Sequence, residues 1–375
     1  GQYEKALPLF EHAVQVRRRL LGDEHVYTLN TRHNLSALYV DLARYMEADQ
    51  LSEELLITAQ KVLDEENSVL LSAMSHRARV HDLFGRPAEA EALHLKVLET
   101  QQRLHGIEHP STLSTMNNLG SLYNNLGRCD EAEDLYQTAL DTKRRVLGAD
   151  HPGTLAGMTN LAGCWVAQNR CRDAEDLYKQ AIKAKQRVLG EEHPLTLSSM
   201  NNLAALYKQL ARNEEAERLF KQLLDTNRRV FGDDHPSTLT CMGNLASLYF
   251  ELGRYEEAGR LFNAVLESRR RLFGDEHPDT LTSLANVARL LQDQAQDDEA
   301  EVICKKVLAV RQRVLGRTHP DTLKSLNGLG KLYELQGRYD EASRLFEELI
   351  RTQRKVLGDE HRGTLTNMMN LALVY

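Results

Sequence analysis

The chain has 375 residues, a formal net charge of −7 and a pI of about 6.1, and its 47 Lys and Arg are interleaved with 54 Asp and Glu. This balance argues against nucleic acid as a partner, since nucleic-acid-binding proteins carry basic stripes and a high pI. No apolar run reaches the roughly 18 residues of a membrane-spanning helix, so no membrane insertion is expected. The five cysteines are scattered, which indicates reduced thiols and a cytoplasmic protein.

A repeat of 42 residues organises the whole chain. The segment Gly-Asp-Asp-His-Pro-Ser-Thr-Leu at 232–239 recurs with its histidine at His25, His109, His151, His193, His235, His277, His319 and His361. The first interval is twice the others, so one degenerate copy lies between, centred on Asn67. A fixed period of this length is typical of a solenoid, in which each unit buries its apolar face against its neighbours.

The predicted elements follow this period from one end to the other. Residues 1–24 supply the second helix (helix B) of a truncated repeat, 25–360 supply eight full pairs of helix A and helix B, and 361–375 supply one further helix A. We therefore expect an all-α solenoid of antiparallel helix pairs. Residues 1–375 should form a single array, cut within a repeat at both ends, that is a piece of a longer one.

The second unit, residues 67–108, departs most from the others. His76, Arg77 and His81 stand where the other units carry Asn, Leu and Tyr, while the spacing of the turn glycine and the small residues is kept. We expect this unit to be a softer joint and not a domain boundary.

The unit that begins at His193 shows the local signals. Pro194 suits the first position of a helix, and Leu197, Met200 and Leu203 follow at helical spacing. Gly232 ends helix B, because glycine tolerates the backbone conformation of a helix stop. Helix A is thus predicted near 110–125, 152–167, 194–210, 236–252, 278–293 and 320–336.

Arginine clusters close several B helices, as at 17–19 and 269–271. Since they recur at a helix C-terminus beside an acidic loop, we interpret them as compensation of the helix dipole and as ion pairs, not as polybasic sites.

The sequence predicts no catalytic, cofactor or metal site, and therefore no enzyme. The loop histidines lie one repeat apart, too far to share a zinc ion, and are interpreted as helix-start residues. Gly328-Leu329-Gly330-Lys331 lacks the first glycine, the Ser/Thr and the preceding strand of a phosphate loop, and belongs to helix A.

One position of the repeat carries asparagine more often than an exposed helical surface would require. Nine residues after each loop histidine, or after Asn67 in the second unit, the chain carries Asn34, His76, Asn118, Asn160, Asn202, Asn244, Asn286, Gly328 and Asn370. Asparagine is a below-average helix former, and it recurs although the residue three positions later varies freely. The position points roughly 160° from the core stripe at about 100° per residue. An amide there can grip a peptide backbone, or bond an adjacent helix and fix the twist.

The pattern Asn-Leu-Gly-x-Leu-Tyr-x-x-x-Gly-Arg-x-x-Glu-Ala-x-x-Leu-Tyr-x-x-Ala-Leu, from Asn118 to Leu140, resembles the tetratricopeptide repeat. The longer period, the Arg-Arg-Val-Leu-Gly ending and the Asp-His-Pro loop resemble the 42-residue subtype of kinesin light chains and nephrocystin-like proteins. The resemblance implies a right-handed α-solenoid whose concave groove binds extended peptides. The implied groove residues are Asn34, Asn118, Asn160, Asn202, Asn244, Asn286, Asn370, Ser121, Ser198, Arg289, Lys324 and Lys331.

Three functional hypotheses follow from this resemblance. The first is a cargo adaptor similar to the cargo-binding part of a kinesin light chain, cytoplasmic and microtubule-associated, with kinesin heavy chain or cargo bound through segments outside this sequence. The second is the sensor arm of a larger signalling NTPase, because the same subtype occurs in such arrays. The third is a spacer whose asparagines are purely structural. Heptads before Gly1 would favour the first hypothesis, and a phosphate-loop domain would favour the second.

Overall fold

The protein consists of paired α-helices. The computed structural model describes residues 3–375, except for the side chains of residues 3 and 4, and no strand occurs in this range. The helices are α1 (Tyr3–Leu21), α2 (Val26–Asp41), α3 (Tyr45–Val62), α4 (Ser68–Leu83), α5 (Pro87–His105), α6 (Pro110–Asn125), α7 (Cys129–Leu147), α8 (Pro152–Ala167), α9 (Cys171–Leu189), α10 (Pro194–Gln209), α11 (Asn213–Phe231), α12 (Pro236–Glu251), α13 (Tyr255–Phe273), α14 (Pro278–Asp293), α15 (Asp297–Val314), α16 (Pro320–Leu335), α17 (Tyr339–Leu357) and α18 (Arg362–Val374).

These bounds confirm the predicted all-α solenoid and its register. Even-numbered helices are A helices and odd-numbered helices are B helices. The six predicted A helices begin at the expected residues and end within one residue of the expected positions. Residues 1 and 2 of the first truncated repeat lie outside the described part of the chain.

The recurring loop joins helix B to the next helix A by a fixed set of contacts. Gly232 ends α11 with φ +87° and ψ 170°, a conformation essentially reserved for glycine. The hydroxyl of Thr238 donates to the carbonyl oxygen of Gly232 at 2.7 Å. His235 Nδ1 accepts a hydrogen bond from the backbone N–H of Ser237 at 3.2 Å, and Pro236 occupies the first position of α12. The loop thus stops one helix and caps the next.

The same cap stands at the start of every A helix. The imidazole accepts from the backbone N–H two residues later at His25, His109, His151, His193, His235, His277, His319 and His361. In the degenerate copy the side chain of Asn67 makes the equivalent bond to Val69 at 2.9 Å. The prediction that the loop histidines are helix-start residues is confirmed.

Small residues set the distance between paired helices. A Cβ at Gly120 would lie 3.0 Å from the ring of Tyr136, and one at Gly330 would lie 2.8 Å from the ring of Phe346. Ala132, on the facing helix, is fully buried. The aromatic ring of helix B therefore occupies the space that a larger residue on helix A would need.

The array curves with its A helices on the inside. Consecutive A helices contact each other directly at α2 and α4, at α6 and α8, at α8 and α10, and at α10 and α12, whereas no two consecutive B helices of the described chain pack as extensively. Because the A helices approach each other more closely, they line the concave side and the B helices form the convex side.

The curvature brings distant repeats into contact. The hydroxyl of Thr318 donates to the carbonyl oxygen of Phe84 at 2.9 Å, and Gly127 lies beside the ring of His361. Both pairs are 234 residues apart, between five and six repeats. One superhelical turn therefore touches the next.

The second repeat replaces apolar packing with a buried polar network. Arg77 donates to the Asp49 carboxylate at 2.5 Å and to the hydroxyl of Ser52 at 2.9 Å. His76 is buried, and its Nε2 lies 2.8 Å from the hydroxyl of Ser36. Burial of such groups is tolerated because each finds a hydrogen-bond partner. The softness of this unit stays a prediction.

Replacing His193 by Ala should lower the free energy of unfolding by about 1 kcal/mol, because the N–H of Leu195 at the start of α10 loses its acceptor. His193→Asn should retain most of the stability, since Asn67 makes the same cap elsewhere in the chain. Urea unfolding followed by circular dichroism measures both. An Asn variant as unstable as the Ala variant would show that capping is not what His193 contributes.

Acidification should loosen the second repeat. Burial lowers the pKa of His76 to about 3 and those of His81 and His94 to about 4, against about 6.5 in an unfolded chain. The folded state therefore favours neutral rings. The stability that depends on them is complete above pH 6.5 and falls toward pH 4 by about 1.4 kcal/mol per pH unit for each histidine. Hydrogen exchange at pH 7.5 and 5.5, corrected for intrinsic rates, should show α4 opening more than α10.

His76→Asn, which places there the residue of most other units, should reduce this acid response. An equal response of all repeats to pH, or an unchanged response in the variant, would contradict the assignment.

Candidate peptide-binding groove

The asparagines that recur nine residues after the loop histidines lie on the A helices, which line the concave side. We call this series the asparagine ladder and each of its members a rung. Asn34, Asn118 and Asn160 are exposed, while Asn202 and Asn286 are half-buried. Asn244 and Asn370 are half-buried as well, and Ser121, Ser198, Arg289, Lys324 and Lys331 are exposed on the same helices. The structure thus places these candidate residues on a common surface, with His76 buried beneath it.

Two rungs of the ladder bond the neighbouring repeat. The Asn244 amide donates to Asn201 Oδ1 at 3.0 Å, and the Asn370 amide lies 3.4 Å from Asn327 Oδ1. In both cases the acceptor is an asparagine just before the ladder position of the preceding A helix. An asparagine at that neighbouring position does not by itself identify a structural rung, because the amide of Asn117, just before Asn118, bonds the carbonyl oxygen of Leu113 instead of Asn160. The alternative that an amide fixes the twist therefore applies to Asn244 and Asn370.

The rungs at Asn160 and Asn202 differ from these two. Their side-chain amides make no hydrogen bond within the described residues. Small residues flank them on the same helix face: Ala156 and Gly163 around Asn160, and Ser198 and Ala205 around Asn202. Small flanking side chains leave room for the close approach of a peptide backbone, which an amide can bind by donating and accepting at once.

Other candidate residues line hollows between consecutive A helices. A hollow of about 550 Å³ between α14 and α16 is lined in part by Asn286, Arg289, Lys324, Gly328 and Lys331. A second of about 460 Å³, between α4 and α6, includes Asn118, and a third of about 220 Å³, between α10 and α12, includes Ser198. Asn34, Asn160, Asn202, Asn244, Asn370 and Ser121 line none of these hollows.

A column of polar side chains on the B helices runs beneath the groove, and the sequence analysis did not identify it. It consists of Arg17, Gln101, Lys143, Lys185, Asn227, Arg269, Arg311 and Gln353, which share one position of the repeat. Lys185, only 2% exposed, donates to the hydroxyls of Ser199 and Thr159 at 2.6 and 2.7 Å, and burial lowers its pKa to about 8. A polar residue recurring within an apolar stripe was the signal that could have revealed the column.

The arginine clusters divide between this column and ion pairs. Arg269, the first of its cluster, donates to the hydroxyl of Ser283 at 2.9 Å on the next helix A. Arg270 pairs with Asp275 in the following loop, and Arg271 with Asp234 in the preceding one. The predicted ion pairs are therefore present for two of the three arginines, while the first contributes to the groove floor.

Metal and membrane sites find no support in the described chain. Residues 3–375 contain no group of three or more His, Cys, Asp or Glu side chains placed to hold a metal ion. None of their helices combines the length and apolar character required to cross a bilayer.

Paired helices stacked around a polar inner groove define an α-solenoid protein-interaction scaffold. The tetratricopeptide repeat profile matches residues 1–61, 69–143, 114–187, 243–302 and 284–355, and a second such profile matches 196–237. The chain belongs to the tetratricopeptide repeat family. No curated protein matches the sequence.

Solved structures share this architecture. A Podosopora anserina protein assigned as a kinesin light chain, with nearly identical TPR-like repeats, is 27% identical over 55% of this chain and 98% of its own, with a TM-score of 0.47. BtubC (BKLC) from P. vanneervenii is 21% identical over 61% of this chain and 92% of its own, with a TM-score of 0.50. The apo form of the quorum sensor NprR from B. thuringiensis is 13% identical over 93% of this chain and 94% of its own, with a TM-score of 0.57. At these identities the last two share the fold alone.

Proposed function

We propose that this scaffold binds an extended peptide segment along the concave face of its A helices and has no catalytic activity of its own. The observation that carries the proposal concerns Asn160 and Asn202, which lie on neighbouring A helices. Their side-chain amides make no hydrogen bond within the described residues, and each is flanked by small residues. Two successive amides can hold successive units of one backbone and need no particular side chain of the ligand.

The convex side offers a poorer surface for a peptide. Ion pairs join several of its charged side chains across repeats: Arg212 bonds Glu175 at 2.6 Å, and Arg229 bonds Glu192 at 2.7 Å. A ligand on that side would have to break such pairs. The side-chain amides of Asn160 and Asn202, by contrast, can bond a ligand without losing a protein partner.

The repeat subtype supports a more specific role as a cargo adaptor of the kinesin light chain kind. This role rests on the 42-residue period, the Arg-Arg-Val-Leu-Gly ending and the Asp-His-Pro loop. Microtubule association and contact with a kinesin heavy chain belong to the same proposal.

Replacing Asn160 and Asn202 together by Ala should weaken a groove-bound peptide roughly ten- to a hundredfold, because each lost hydrogen bond is worth about 1 kcal/mol. The probe is a 12-residue peptide selected on the wild-type protein from a random display library, titrated by calorimetry. Circular dichroism should show an unchanged helix content and melting curve in the variant, since neither amide bonds the protein.

Asn263→Ala is the matched control, because it removes an exposed amide from the convex helix α13. It should leave the peptide affinity unchanged. An equal loss in the control, or a double variant that melts while its folded fraction keeps full affinity, would contradict the proposal.

A further inference from the structure

The hollow between α14 and α16 lies where the ladder position carries no side chain. Gly328 occupies the ladder position of α16, and a Cβ built on it would meet nothing within 4 Å. The preceding rung, Asn286, forms part of the opposite wall, and Ala285, Cys304, Val307 and Leu335 add apolar lining. A space of about 550 Å³ can admit a side chain of a bound peptide or a small aromatic molecule.

The charged groups that line this hollow are predominantly cationic. They are Arg289, Arg311, Lys324 and Lys331, against a single carboxylate, Asp321. Lys324 already pairs with Asp321 at 3.0 Å, so three cations have no acidic partner within the hollow. The Arg289 guanidinium lies 4.0 Å from the ring centroid of Phe250, a contact that holds it in place and leaves its charge unneutralised.

Arg311 is the member of the polar column that lies in this hollow, and it is 3% exposed. Its Nη1 donates to the Asp321 carbonyl oxygen at 3.0 Å and to the Ser325 hydroxyl at 2.8 Å. Its Nη2 donates to the Thr282 hydroxyl at 2.8 Å, while the buried Nε–H has no acceptor. All its hydrogen-bond partners are neutral, and the nearby Asp321 carboxylate, which partly offsets the lowering of the Arg311 pKa by burial, already pairs with Lys324. A buried charge whose counter-charge is shared in this way is incompletely compensated. An anion in the hollow would supply a further counter-charge.

We propose that this hollow binds a phosphoryl group carried on an apolar or aromatic stem, such as the phosphorylated tyrosine side chain of a bound peptide. Three unpaired cations suit a dianion better than a single carboxylate, and a guanidinium binds phosphate oxygens through paired N–H groups. The apolar walls contact the stem. This deepens the proposed function, since it names the ligand class at one end of the groove, but the hollow can be probed without a peptide.

The test uses phenyl phosphate, with inorganic phosphate, phenylacetate and benzyl alcohol as comparison probes, each titrated into the full chain by calorimetry at low salt. Phenyl phosphate should bind at least tenfold more tightly than any other probe. Inorganic phosphate lacks the stem, phenylacetate has one negative charge, and benzyl alcohol has none. Equal affinity for phenylacetate, or no binding of phenyl phosphate, would overturn the proposal.

Arg311→Met should weaken the binding of phenyl phosphate at least tenfold. Arg269→Met is the matched control, because Arg269 occupies the same position one repeat earlier and makes two of the three equivalent bonds, to the Asp279 carbonyl oxygen and the Ser283 hydroxyl. The Arg269→Met control should lose any stability that the column confers but should still bind phenyl phosphate with unchanged affinity. Equal weakening in both variants would assign the effect to folding and overturn the site.

Gly328→Asn gives a second variant that keeps the fold. Asparagine is the better helix former of the two, and the added side chain enters open space. Gly328→Asn should block the binding of phenyl phosphate while leaving the melting temperature unchanged or slightly raised. Unaltered binding would overturn the site. The Asn160→Ala/Asn202→Ala variant should bind phenyl phosphate normally, so that failure of the peptide groove and failure of this pocket are distinguished.

Discussion

The close approach of helix A to helix B at one small residue is the constraint on which the other features depend. At Gly120 and Gly330 the facing aromatic ring takes the place of a side chain, and the alanine at the start of the partner helix, as at Ala132 and Ala342, is fully buried. Because each pair packs at the same depth, each repeat presents the same apolar face to the next. An inserted residue would rotate that face away, which explains why the spacing is uniform.

Polar contacts then fix how one repeat sits on the next. Apolar faces alone would allow neighbouring units to slide or rotate. Directional bonds from the polar column prevent this, as where Lys185 reaches Ser199, and so do ion pairs at the helix turns, as between Arg212 and Glu175. A buried polar group must find its partner in one geometry, so these contacts favour a single superhelical twist. The column also forms the floor of the groove, which links the stability of the array to the chemistry of the proposed binding surface.

The groove is not uniform along its length. Around Asn160 and Asn202 the flanking side chains are small and uncharged, which suits contact with a backbone. Around Gly328 it opens into a cationic hollow, which suits one particular side chain. A scaffold built from near-identical units can thus acquire specificity by changing single positions, because each substitution alters one rung while the packing of helix A on helix B is kept.

The sequence by itself determined the helices and their ends. These features follow from local signals, such as Pro236 at a helix start and Gly232 at a helix end, repeated at a fixed period. Only the tertiary structure decided that Asn244 bonds a neighbouring repeat while Asn160 remains unbonded, that Gly328 opens a hollow over a buried guanidinium, and that Phe84 meets Thr318 one superhelical turn away. These outcomes depend on the rotation between successive repeats. That rotation is a sum of many small packing differences, and no local signal in the sequence specifies it.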